Sequence, residues 1–426
     1  MDRCKEPENY YRASLGGKAA RPPLGGTQRA DICVIGGGFT GLSAALHLAL
    51  AGAEVILLEA ETIGFAASGR NGGQIHTGFR QTQEHLESWL GKLHARDLWV
   101  LSEEAKALVL ELAAQYGIGC ALKSGLVIAA HNRRAARELA EDTEYLRMHY
   151  RYTQARMIDA DETARSLGTQ IYPAARFDCG GGHLQPLAFA SGLASAAVQA
   201  GAWIHEHTRA QRIETSGQVV QVVCESGKLN ADRIILACDA FSGALAPELS
   251  SFIAHVESFI TATEPLPNEL YESVLPCDAA VADTRHVLDY YRKSADRRML
   301  FAGREAYLTL PKNIGAMVRP RMEHVFPQLK SARIEYAWSG TVGITRTRMP
   351  HLGRLSERVL FAHGYSGQGV ALANLGGKLL AEAAMGHPER FDVLARVPAK
   401  RFPGGAALRK PLVAAGLMWF KLLDFL

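Results

Sequence analysis

The chain has 426 residues, 48% of them hydrophobic and 21% charged. That balance suits a globular protein with a sizeable core and excludes disorder, a collagen-like repeat and a small disulfide scaffold. At about 150 residues per domain it allows two or three domains, and the formal charge of +4 is too small an excess for nucleic acid to be a main partner.

The seven cysteines include no CxxC pair, which argues against a disulfide framework and a structural zinc site and for a reducing compartment. The first twenty residues carry no apolar segment of a secretory signal. No run of about 18 apolar residues occurs. A cytoplasmic location without stable membrane insertion is expected.

Residues 1–29 are polar and read as an irregular arm on the surface. Order is expected from Asp31-Ile32-Cys33-Val34-Ile35, an apolar run that passes straight into Gly36-Gly37-Gly38-Phe39-Thr40-Gly41. Leu42, Ala45, Leu46 and Ala49 then recur with the spacing of one helix face. Residues 55–58 are continuously apolar, as in a parallel strand covered on both faces, and end at Glu59. A Gly-rich loop fills 64–78. Residues 84–116 predict a long helix broken near Gly91. A strand follows at 124–130, then helices at 133–150, 159–167 and 187–200. One or two strands are predicted over 202–213, with 219–224 as a hairpin partner. Residues 233–237 are again a buried parallel strand. Over 281–291 and 299–303 the pattern suggests antiparallel strands, with one helix near 314–325. A last buried strand at 359–362 leads through a Gly-rich turn into a helix over 372–385.

The spacing Gly36-x-Gly38-x-x-Gly41, after a strand and opening a helix, marks a dinucleotide-binding turn. Gly36 permits the tight turn, Gly38 lets a pyrophosphate approach the backbone, and Gly41 lets helix and strand pack closely. Phe39 and Thr40 open the helix, whose N-terminus offers N–H groups to phosphates. Glu59, with Ala60 beside it, is placed to accept hydrogen bonds from a ribose. NAD and FAD are not separated by this turn alone. The loop that follows, Ser68-Gly69-Arg70-Asn71-Gly72-Gly73 and Gln74, interrupts the βαβ succession and provides backbone N–H groups for an extended cofactor. A third turn, Gly364-Tyr365-Ser366-Gly367-Gln368-Gly369-Val370, offers a second helix start, which suits the negative charge of a reduced flavin. Ala210 and Ala237 complete the expected cofactor wall.

These three motifs, in this order, resemble the FAD-dependent oxidoreductases of the D-amino acid oxidase superfamily, most closely the branch that oxidises γ-glutamylputrescine. The segments FTGLSAALHLA, IGFAASGRNGGQ, GGHLQPLAFA, LDYYRKSADRRMLFAG, FPQLK, MPHLGRL, GYSGQGV and RFPGGAALRKP carry the resemblance from about residue 30 to the end. It implies an α/β fold with a Rossmann-like FAD-binding domain (30–80, 175–250 and 346–426) after the arm 1–29. A second, antiparallel-sheet-rich substrate domain (81–174 and 251–345) is inserted in pieces. It also implies an amine oxidase that takes the primary-amine end of a γ-glutamylated polyamine, such as γ-glutamylputrescine, to an aldehyde, ammonia and hydrogen peroxide, with molecular oxygen as acceptor. Three alternatives stand beside it: an oxidase of small amino acids or N-methyl amines, a dehydrogenase serving a quinone or carrier, and a redox-silent FAD-binding subunit. Gln368 stands at a position associated with His in this branch, and Gln cannot titrate near neutral pH. No cysteine follows Cys277, whereas sarcosine-oxidase-like relatives attach flavin through a late cysteine. Non-covalent FAD is therefore expected.

The substrate candidates are His76, Tyr290, Tyr291, Arg304, Trp338, Tyr365 and Gln368. Strand alternation puts Tyr290 and Tyr291 on opposite faces, so at most one faces the flavin. Arg80, Arg304 and Arg346 are candidates for gripping a glutamyl end. Lys293 is expected to be solvated. His205 and His207 would share a strand face, but without a third ligand no metal is expected. The basic stretch 396–410 and the apolar stretch 412–426 are expected to pack on the body rather than on a membrane. Oligomeric state is left open.

Overall fold

A computed structural model describes residues 9–16, 20–216, 219–306 and 311–403. Its first half runs α1 (Tyr10–Leu15), β1 (Gly26–Ile35), α2 (Phe39–Leu50), β2 (Val55–Leu58), β3 (Gln74–Ile75), α3 (Gln83–Leu90), α4 (Lys92–Gln115), β4 (Lys123–Ala130), α5 (Arg133–Tyr150), β5 (Ala155–Ile158) and α6 (Ala160–Leu167). Then come β6 (Ala174–His183), α7 (Pro186–Gln199), β7 (Trp203–His205), β8 (Ala210–Ser216), β9 (Val219–Cys224), β10 (Gly227–Leu236) and β11 (Ile253–Thr263). The last part holds α8 (Asn268–Ser273), β12 (Ala280–Asp283), β13 (Tyr290–Lys293), β14 (Met299–Ala306), α9 (Ile314–Val325), β15 (Ile334–Thr345), β16 (His351–Ser356), β17 (Val359–His363), α10 (Gly369–Ala384) and α11 (Glu389–Ala395).

Two sheets organise these elements. The first has the order β16-β17-β10-β1-β2-β7, with the β8–β9 hairpin attached to β10. Its centre is parallel: β1 pairs with β10 and β2, and β10 with β17. Both faces of this centre are covered. Ile32, Val34, Val55, Leu57, Ile235, Leu360 and Ala362 point into a core shared with α2, α4, α7 and α10. Cys33, Ile35, Ile56, Leu58, Ile234, Leu236, Val359 and Phe361 point the other way, into a core shared with β9. This is why each strand reads as an unbroken apolar run. The second sheet has the order β15-β11-β14-β13-β12-β4-β6-β3, with β5 paired to β6. It packs its apolar face against α9.

Several expectations change. The described part of residues 1–29 is not an irregular surface arm: α1 forms there, Tyr10 and Tyr11 are buried, and β1 begins at Gly26. Over 281–291 only β12 and β13 are strands; they pair antiparallel with each other, and β13 with β14, as expected, while the other edge of β12 runs parallel to β4. β3 and β6 belong to the second sheet, so the second body draws residues 74–75 and 175–183 from segments expected in the first. Residues 404–426, the expected packing tail, lie outside the described residues.

His351 and His363 bridge β16 and β17, with Nδ1 of the one 2.9 Å from Nε2 of the other. Burial lowers the pKa of His351 to about 4, and burial together with His351 lowers that of His363 to about 3. An unfolded histidine binds its proton near pH 6.5 while the folded ones do not. Stability is therefore full above that pH and is lost as pH falls toward the folded values. At pH 5 the loss is about 2 kcal/mol per histidine. His363→Asn should narrow the fall in Tm between pH 7 and pH 5, measured by thermal denaturation; an unchanged fall would refute this.

Candidate active site

Three glycine-bearing bends, distant in the chain, meet at one cavity of about 440 Å³. The first follows β1. Gly36 has φ +114°, and a Cβ there would lie 2.6 Å from the Ala237 carbonyl, so only glycine fits. Gly36, Gly38, Phe39 and Thr40 line the cavity. Gly41 does not; a Cβ on it would fall 1.8 Å from the Gly36 carbonyl, so its role is to let α2 start against β1. Glu59 lines the cavity beside Ala60. Its carboxylate accepts from the amides of Gly37 (2.6 Å) and Glu61 (2.8 Å). Burial raises its pKa, and those two amides pull it back.

The second bend is 68–74. Ser68 Oγ accepts from the Phe39 amide at 3.0 Å, which ties this loop to the start of α2. Asn71 braces the loop from within. Its Nδ2 donates to the Ala67 carbonyl at 2.9 Å, and its Oδ1 accepts from the Gly73 amide at 2.7 Å. Ser68, Arg70, Asn71, Gly72, Gly73 and Gln74 line the cavity. Gly69 does not: it packs on Gly64, whose carbonyl a Cβ would approach to 2.1 Å.

The third bend joins β17 to α10. Tyr365, Ser366, Gly367, Gly369 and Val370 line the cavity, as do Ala210 and Ala237. Thr40 Oγ1 donates to Tyr365 Oη at 2.9 Å. A Cβ on Gly377 would meet the Thr40 carbonyl at 2.2 Å, so α10 and α2 touch backbone to backbone. The N-termini of two helices thus open on one cavity. Their aligned peptide dipoles favour negative charge there. Gly364 and Gln368 stand behind the wall rather than in it. Gln368 is buried, and its Oε1 accepts no hydrogen bond among the described residues.

The opposite wall comes from the second sheet. Tyr290 lines it, 3.0 Å from Ser258 Oγ through its hydroxyl, with Ile260, Leu288 and His76 nearby on the wall. Burial, followed by the charges of Arg80 and Arg176, lowers the pKa of His76 to about 3. Arg80, His286 and Arg348 also line the cavity.

Other candidates lie elsewhere. Tyr291 points into the second core, stacked on Phe301 with centroids 5.4 Å apart. Trp338 is fully buried, and its Nε1 donates to the Arg70 carbonyl at 3.0 Å; it supports the loop instead of lining the cavity. The side chain of Arg304 lies outside the described residues. Arg346 is exposed and off the cavity, and its neighbour Arg348 takes that place. Lys293 is not solvated. It is buried, with Nζ 4.0 Å from the Tyr271 ring centroid, and burial lowers its pKa. His205 and His207 do not share a strand face, because β7 ends at His205 and His207 sits at φ +52°. Among the described residues no group of three or more His, Cys, Asp or Glu is placed to hold a metal.

Sequence reasoning missed Asp239. It lines the cavity at φ +43°, and its carboxylate accepts from the Gly364 amide at 2.6 Å. Its signal was its position: a polar residue just beyond the carboxyl end of a central parallel strand, where open α/β sheets bind ligands.

The cradle fits a dinucleotide. Gly36 and Gly38 put no side chain on its wall, two helix N-termini face it, and the same cavity reaches Tyr290 of the second sheet. The family model described as "DAO: FAD dependent oxidoreductase" matches residues 31–383, and the chain belongs to this family of FAD-dependent oxidoreductases. It is 38% identical over 417 residues to the probable oxidoreductase OrdL of Rhizobium meliloti, covering 98% of this chain and 97% of that one. It is 37% identical over 419 residues to the gamma-glutamylputrescine oxidoreductase of Escherichia coli, covering 98% of each. In fold it matches glycine oxidase from Geobacillus kaustophilus with a TM-score of 0.71 at 21% identity, over 84% of this chain and 95% of that one. The protein is an FAD-dependent oxidoreductase. Among the described residues no helix is long and apolar enough to cross a membrane.

Proposed function

We propose that the enzyme oxidises the primary-amine end of a γ-glutamylated polyamine, γ-glutamylputrescine in the first instance. The amine, oxygen and water go to an aldehyde, ammonia and hydrogen peroxide. The observation that carries this reading is the charge character of the substrate wall. The part of the cavity built by the second sheet and its loops offers Arg80, Arg348 and His286, and no carboxylate among the described residues. Guanidinium groups suit the free carboxylate of a glutamyl end. The lack of an acid there avoids stabilising an ammonium, so a reactive neutral amine is favoured. The E. coli relative carries a name that fits this substrate.

FAD, when bound, supplies the hydride acceptor and passes two electrons onward. The chain's own groups hold, orient and desolvate. Tyr290, Ile260 and Leu288 shape an apolar slot for the methylene chain. The low pKa of His76 keeps it neutral across the working range, so it serves as a hydrogen-bond partner for the amine and not as a cation.

The test is anaerobic mixing of the yellow holoenzyme with γ-glutamylputrescine, putrescine, glycine and sarcosine. Rapid bleaching by γ-glutamylputrescine, with peroxide released in air, is expected. Bleaching by glycine or sarcosine alone would overturn the substrate, and bleaching without peroxide would overturn the acceptor. In addition, kcat/KM should rise with pH through the ionisation of the substrate amine. His76→Asn should lower the height of that profile about tenfold, as loss of an oriented hydrogen bond does, without moving its inflection. A displaced inflection would mean that His76 titrates.

A further inference from the structure

The cofactor loop 70–73 is held from outside in a distinctive way. Four consecutive carbonyls are each taken by a different donor. The Arg70 carbonyl accepts from Trp338 Nε1 at 3.0 Å, and that of Asn71 accepts from Tyr11 Oη at 2.8 Å. The Gly72 carbonyl accepts from Arg292 Nε at 2.6 Å, and that of Gly73 from the Leu184 amide at 2.9 Å. On its other side the same loop lines the cavity. The three side-chain donors form one buried group. The Tyr11 ring meets Trp338 edge-on with centroids 5.2 Å apart, and the Arg292 guanidinium lies 5.8 Å from the centre of the Tyr11 ring. Tyr11 and Trp338 are fully buried and Arg292 nearly so.

From this we infer that α1 is a clasp for the cofactor, and that Tyr11 is a positioning residue acting through the 70–73 loop. A carbonyl oxygen turned inward would repel phosphates and an electron-rich flavin. Drawing all four outward takes the carbonyl oxygens off the inner side of the loop, while the Gly73 amide is held by Asn71 Oδ1 and the Arg70 amide by the Ala67 carbonyl. The donors come from α1, β13, β15 and the start of the loop before α7, so the inner surface is set by parts of the chain far from it in sequence. α1 itself is anchored independently of the loop. Arg12 Nη2 donates to Thr62 Oγ1 at 2.8 Å, and Tyr10 Oη bonds Asp296. This role concerns the cofactor alone and does not depend on which amine is oxidised.

The test compares two neighbours on one helix. Tyr11→Phe keeps the ring and removes only the donor to Asn71. Tyr10→Phe removes a hydroxyl from the same helix whose bond goes to Asp296, away from the loop. Each full-length variant is stripped of FAD and titrated with FAD by fluorescence quenching, and the Tm of each apoprotein is recorded. Tyr11→Phe is expected to raise the FAD dissociation constant about fivefold to tenfold, the effect of one lost hydrogen bond, and Tyr10→Phe to leave it unchanged at a similar apoprotein Tm. Trp338→Phe, which removes the donor to Arg70, should act like Tyr11→Phe. Wild-type FAD affinity in Tyr11→Phe, or equal losses in Tyr10→Phe and Tyr11→Phe, would overturn the clasp.

Discussion

Gly38→Val should purify as a colourless protein. A Cβ at this position already lies 2.8 Å from Ser68 Oγ, the atom that accepts from the Phe39 amide. The two further methyl groups of valine must go either into that contact or into the cavity. In the first case the tie between the 68–74 loop and α2 breaks; in the second the space for a pyrophosphate is filled. Both outcomes remove the cofactor, so the ratio of absorbance near 450 nm to that at 280 nm should fall to background. Gly25→Ala is the matched control: a Cβ there meets nothing within 4 Å, and the variant should remain fully yellow. A yellow Gly38→Val protein would mean that FAD does not use the α2 turn.

Asp239→Ala should be nearly as damaging by a different route. Its buried carboxylate takes amide hydrogen bonds from Gly364, Ala240 and Gly343, and so joins β10, the turn before α10 and β15 of the other sheet. Burial raises its pKa while the amides lower it. Truncation leaves buried amides without an acceptor, at about 1–3 kcal/mol each. FAD binding should weaken at least about a hundredfold, at roughly 1.4 kcal/mol per decade, together with a clear drop in Tm. Asp239→Asn keeps one acceptor oxygen and the side-chain shape and should recover part of the loss. If Asp239→Ala bound FAD like the wild type, the three-way latch would have no bearing on the cofactor.

The parts legible from sequence are those whose cause is local. β2 and β17 read correctly because burial on both faces writes an unbroken apolar run. The break between α3 and α4 reads correctly because Gly91, at φ +86°, is a residue that few side chains could replace. The glycine turns read correctly because each close approach forbids a Cβ. What escaped depends on partners far along the chain. Nothing near Tyr11 announces that its hydroxyl reaches Asn71. Lys293 looked like any surface lysine because Tyr271, whose ring and carbonyl receive it, lies in another segment. Trp338 could be read as core or as a cavity wall, since a large aromatic between small residues suits both; its tether to the Arg70 carbonyl is what the sequence did not announce. Tyr290 and Tyr291 were separable in principle by strand alternation. Which of them faced inward required the register of β13 with β12 and β14.

The position of β10 between β1 and β17 has a bearing on how the polypeptide is made. A nascent chain from which β1, β2 and β7 have emerged has one edge of β1 unpaired, and β10, the strand that covers it, emerges only after half the protein has been translated. The last rim of the flavin cradle, 365–370, emerges later still. The growing chain therefore spends most of its synthesis unable to capture FAD. Unpaired sheet edges in partly folded chains are prone to sticking to one another.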